Sequence, residues 1–96
     1  MTEQKQIETA LGTVERPSFV TEIRHALDND WSGDPGVWIW VILRDDVAGS
    51  PQIVEQTQPV RSAIVQALRD AGISRWPYLR FRGQSEQAEL DRAEAA

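Results

Sequence analysis

The stretch Val37-Trp38-Ile39-Trp40-Val41-Ile42-Leu43 is apolar at every position, and its reading decides the fold. In an extended strand, successive side chains point to opposite sides. One face then carries Val37, Ile39, Val41 and Leu43, and the other carries Trp38, Trp40 and Ile42. A strand buried on one face alternates apolar with polar residues, and this one does not. Both faces therefore need cover from this chain, a second copy or a partner.

Downstream, Asp45-Asp46 ends the strand and Val47-Ala48-Gly49 forms a loop. Ser50 suits an N-cap with Pro51 in the first turn. Ile53, Thr57, Val60, Ile64, Leu68 and Ala71 then recur at steps of three and four, which predicts a helix over 51–71. Pro59 lies inside it without a backbone donor, so a kink or two abutting helices are expected near Thr57-Gln58. Gly72 reads as a left-handed C-cap, with Ile73 folding back on Leu68. Trp76-Pro77 forces extended backbone, and Tyr78-Leu79-Arg80-Phe81-Arg82 alternates as a second strand ended by Gly83.

Upstream, Ser32-Gly33-Asp34-Pro35-Gly36 is a turn. Before it, Pro17 followed by Phe19, Val20, Ile23, Ala26 and Leu27 predicts a helix that stops by Asp28-Asn29-Asp30. Residues 1–16 read as an N-terminal arm or frayed helix, with Ile7, Leu11 and Val14 spaced helically around Gly12. Residues 85–96 read as an acidic C-terminal tail, a solvated helix or disorder, with Leu90 as its one apolar anchor.

These elements give an α/β fold (α+β as the alternative). A single domain over 17–84 runs helix–strand–helix–strand, with a small parallel sheet packed on helices. Strands joined by a helical crossover pair in parallel. Two strands make a marginal sheet, which points to a homodimer that extends or stacks it, or to a further strand in the N-terminal arm.

The chain has 96 residues, enough for one core, and no cysteine, which excludes disulfides and thiolate chemistry. Its start lacks the basic-then-apolar layout of a secretion signal, and no stretch approaches the ~20 apolar residues of a membrane span. A cytoplasmic protein with no membrane partner is the expectation. The net charge is −5, yet residues 17–84 hold seven arginines against eight acids, so the acidity lies mostly in the tails. That balance argues against a protein held mainly by phosphate contacts and leaves room for a local basic patch.

The strand pair provides the candidate interaction surface. With Leu79 and Phe81 joining the aliphatic core, the opposite face collects Trp38, Trp40, Tyr78, Arg80 and Arg82, with Arg75 and Trp76 at its edge. Aromatic rings interleaved with arginines bind partners by stacking and cation–π contact, or stack unpaired bases. The leading expectation is a non-catalytic protein-interaction or regulatory module that self-associates through the Trp38/Trp40 face, with a protein partner or RNA as other occupants.

Other motifs point less far. Asp28-Asn29-Asp30-Trp31-Ser32-Gly33 imitates the opening of a calcium loop, but the closing acid would fall on Ile39, so it reads as a turn. Asp45-Asp46 sits at a strand end where ligands often bind, without further convergent groups. His25 has no nucleophile or orienting acid placed by sequence, and no phosphate-binding glycine loop occurs. An enzyme is not expected, nor a metal or other cofactor.

Residues 37–86 resemble the ribosome-binding factor A family of KH-like proteins. Val37–Leu43 is similar to that family's second strand. Val60-Arg61-Ser62-Ala63 with Leu68 is similar to its final helix, and Trp76-Pro77-Tyr78-Leu79-Arg80-Phe81 followed by Ser85-Glu86 to its proline-led last strand and polar exit. Arg16-Pro17 ahead of a helix fits as well. The resemblance implies an RNA- or ribosome-associated accessory protein. It also implies a strand between the first helix and residues 37–43, for which 28–36 is too short, and an Ala-x-Gly kink where this chain has Thr57-Gln58-Pro59.

Overall fold

A computed structural model describes residues 2–95. In chain order the elements are α1 (Glu3–Gly12), β1 (Val20–Asn29), β2 (Pro35–Leu43), α2 (Asp45–Ala48), α3 (Ile53–Asp70), β3 (Trp76–Gly83) and α4 (Gln84–Ala95). The fold is α/β, with a three-stranded sheet ordered β1-β2-β3. The all-apolar run forms the central strand. β3 pairs with it in parallel, as expected of strands joined by a helix, while β1 pairs antiparallel, so the sheet is mixed.

The expected helix from Pro17 to Leu27 is instead β1. A register irregularity between Val20 and Glu22 explains the misreading. It puts Val20 and Ile23, three residues apart, against the same core, which imitates helical spacing. Beyond it the strand alternates normally, with Ile23 and Leu27 packed against the core and Glu22 and Arg24 turned outward. β1 makes the sheet three-stranded without a second copy, and Arg16-Pro17 precedes a strand rather than a helix.

The core lies between the sheet and two helices. Val37, Ile39, Val41 and Leu43 of β2 are fully buried, clustered with Ile7 and Leu11 of α1, Val60, Ile64 and Leu68 of α3, and Leu79 of β3. Residues 1–16, read as an arm or frayed helix, thus contain a helix that contributes to the core. The threonine hydroxyl of Thr2 caps it, accepting from the Lys5 amide at 3.2 Å.

α3 runs as one helix through Pro59. Thr57 is buried and its hydroxyl donates to the Ile53 carbonyl at 2.7 Å, satisfying it inside the helix. Gly72 has φ +74, and the Ile73 amide donates to Leu68 O at 3.0 Å. That is the left-handed cap its sequence predicts. Residues 85–96, read as an acidic tail, lie mostly in α4, which sits against β2 and β3 on the outer face of the sheet. No helix is long and apolar enough to cross a membrane among the described residues.

Candidate functional site

The outer face starts from the hairpin between β1 and β2. Asp30 Oδ1 accepts from the amides of Ser32 and Asp34, and Gly33 takes φ +86. The calcium-like loop is therefore a tight turn built on Asp30. The other Asp30 oxygen accepts from the Tyr78 hydroxyl at 2.8 Å. That bond lowers the Asp30 pKa, while burial first and Asp30 second raise that of Tyr78.

Tyr78 stacks on Trp38, with ring centroids 4.9 Å apart and planes inclined by 23°, and Trp31 leans against it at 5.5 Å. The ring pair leans over Gly36, where a Cβ would stand 2.8 Å from Trp38 and 3.0 Å from Tyr78. Trp38 is thus covered largely by its own chain. Trp31 is not, being 85% exposed.

Trp40 is half-buried near α4, with the Arg82 guanidinium 5.9 Å from its ring centroid. Arg82 donates to Gln87 Oε1 at 3.2 Å, and Gln87 donates in turn to Asp91 at 2.9 Å. Asp91 receives both terminal nitrogens of Arg24, at 2.9 and 3.0 Å. The Arg24 and Gln87 donors hold the Asp91 carboxyl down to about 2. Asp45 caps the start of α4, accepting from the amide and hydroxyl of Ser85, which lowers its pKa. Gly83 lies close by: a Cβ there would come within 2.9 Å of Asp45 Oδ1 and 3.1 Å of the Ala48 Cβ, so the carboxylate would have to shift. Asp46 pairs with Arg44.

The expected interaction surface is thereby divided. Trp40 and Arg82 lie beside α4, and Trp38 and Tyr78 stack on each other. Arg75, expected at the rim, is an internal tie: it bonds Glu3 of α1 and donates to the backbone carbonyls of Asp28 and Gly36. Trp76, 66% exposed, and Arg80 stay open, both on edge strand β3.

On the other side of β3, a cleft of about 350 Å³ runs between it and α3. Arg61, Val65, Leu68, Arg69, Ile73, Trp76, Pro77 and Leu79 are among its lining residues. Arg61 also lies over the Phe81 ring at 5.1 Å. Residues 60–83 carry five arginines against Asp70 alone, although the whole chain is acidic. Arg61, Arg69 and Arg80 form no ion pair among the described residues. They flank an edge strand whose outer backbone groups have no strand partner.

Sequence reasoning missed Arg61 and Arg69. Their signal is the spacing Arg61-Val65-Arg69, which puts all three on one helix face, combined with the charge imbalance over residues 60–83. His25 is hydrogen-bonded to Gln4 at 3.1 Å. No trio of acidic or histidine side chains converges as a metal site among the described residues. No family model, curated protein or solved structure matches this chain.

Proposed function

We propose that this chain is a non-catalytic binding module that takes a single strand of RNA along β3, between the Arg61/Arg69 cleft and the outward-facing Arg80. The observation that carries the reading is the gathering of three unpaired arginines and the exposed Trp76 around one open strand edge. Surface charge is screened over about 8 Å at physiological ionic strength, so a local cationic strip outweighs distant acidic tails. Trp76 provides a ring on which a base can stack, and arginine provides donors for phosphate.

The resemblance to KH-like ribosome-binding factors supports the same choice over an acidic peptide. In support of it, the order α1-β1-β2-α2-α3-β3 includes a strand, β1, ahead of residues 37–43. The reading has the protein working in the cytoplasm.

Fluorescence anisotropy with a short labelled single-stranded RNA tests it. Wild type binds, and Trp76→Ala weakens binding about ten-fold, within the ~1–3 kcal/mol that base stacking on an aromatic ring contributes. Polyglutamate competing as well as unlabelled RNA would turn the assignment toward an acidic protein. A second reading, self-association or another protein contact, is favoured by the 85% exposure of Trp31 at the hairpin tip. Light scattering on wild type and Trp31→Ala checks it, and a monomer in both removes self-association.

A further inference from the structure

α4 docks with little apolar burial. Gln87 is its one buried residue, and Leu90 stays exposed. Its contacts are Asp91 with Arg24, Gln87 with Arg82, and Ser85 with Asp45. Open surface grooves of about 320 and 240 Å³ flank the contact, one bordered by Thr21, Ile42 and Ala88, the other by His25, Trp40 and Glu94. A helix of 12 residues is marginal in water once its contacts are gone. The segment is also acidic, with Glu86, Glu89, Asp91 and Glu94 against Arg92.

What α4 covers has the same chemistry as the open strip. Arg24, Trp40 and Arg82 form a row on the outer face of all three strands; Arg24 gives its Nε to Glu22 of its own strand at 2.8 and 3.0 Å and its two terminal nitrogens to Asp91 of α4. The Asp91 carboxylate grips the Arg24 fork with two parallel bonds, as a phosphate would.

We propose that α4 is a displaceable acidic lid that competes with RNA phosphates for Arg24 and Arg82; this rests on the RNA reading above. With α4 docked, the strand meets Arg61, Arg69 and Arg80. With α4 released, Arg24, Arg82 and Trp40 extend that surface across the sheet, and binding tightens.

The test compares wild type, the double variant Gln87→Ala/Asp91→Asn, and a chain ending at Gln84. Fluorotryptophan NMR of Trp40, assigned through Trp40→Phe, reports lid release without reference to RNA. Anisotropy titrations over a salt series report binding. Each phosphate contact on a single strand contributes a log–log salt slope of about −0.7, so slopes of about −2 with the lid docked and about −3.5 with it released are expected. Affinity at low salt should rise at least several-fold in both variants.

Release of Trp40 with unchanged affinity and slope overturns the lid and leaves the RNA reading standing. Absence of RNA binding in all three chains, with Trp40 released in the variants, overturns the RNA reading instead. If the shortened chain fails to fold, the double variant decides. A Trp40 that stays shielded there shows that these contacts do not hold α4, and the proposal falls.

Discussion

On the inner face of the sheet, Val37, Ile39, Val41 and Leu43 are fully buried and cluster with Ile7 of α1 and Ile64 of α3. On the outer face, Trp38 and Trp40 of the same strand are half-buried beside stacked rings and a helix docked by charged and amide groups. One strand therefore feeds two layers of different character. Aliphatic packing is dense and holds the fold together. A polar contact yields more easily to competing ligands, salt and acid than dense aliphatic packing does.

Substitutions separate the two layers. Ile39→Ala, in the inner layer, should cost about 2–5 kcal/mol in urea unfolding, through lost burial and a cavity. A smaller loss would mean that the inner face is less tightly packed than its zero exposure indicates. Gly36→Ala acts between the layers, since the added Cβ meets Trp38 and Tyr78. It should cost about 1–3 kcal/mol and alter the near-ultraviolet circular dichroism of the Trp38–Tyr78 pair. An unchanged spectrum would show that the rings give way freely. Asp91→Asn touches only the outer layer. It should leave the urea midpoint almost unmoved while Trp40 becomes more accessible to solvent, because exposed ion pairs contribute little to global stability.

Acid gives the smallest and most selective perturbation. In the folded chain Asp91 titrates at about 2, below its ordinary 3.8, because Arg24 and Gln87 donate to its charged form. A lowered folded pKa means that its contribution is full above 3.8 and is lost as pH falls toward 2. Asp45, whose pKa is lowered by Ser85, weakens the start of α4 in the same direction. Trp40 exposure should therefore rise on acidification before the far-ultraviolet signal of the core changes. Coincident transitions would join the two layers into one cooperative unit.

Much of this division can be read from the sequence. The all-apolar run of β2, the Gly72 cap and the alternation of β3 each follow from local rules, as does the joining of Leu79 and Phe81 to the core. β1 does not, because its irregularity at Val20–Glu22 replaces period-two spacing with intervals that suit a helix. The docking of α4 escapes periodicity altogether, since its anchors are polar and their partners lie far away in sequence, as Asp91 and Arg24 do. The aromatic–arginine surface was visible as a composition. Its division into stacked, lidded and open parts depends on side-chain geometry, and Arg75 shows this best, turned inward to tie α1 to the strand ends.

The most direct test of the central claim is the salt dependence of single-stranded RNA binding by the unaltered chain. With Arg61, Arg69 and Arg80 as the phosphate contacts, the log of the binding constant should fall with log salt at a slope of about −2. Arg61→Ala/Arg69→Ala should bring the slope to about −0.7. No binding at low ionic strength, or a slope unchanged by the double substitution, would contradict the assignment of the β3 edge as an RNA-binding site.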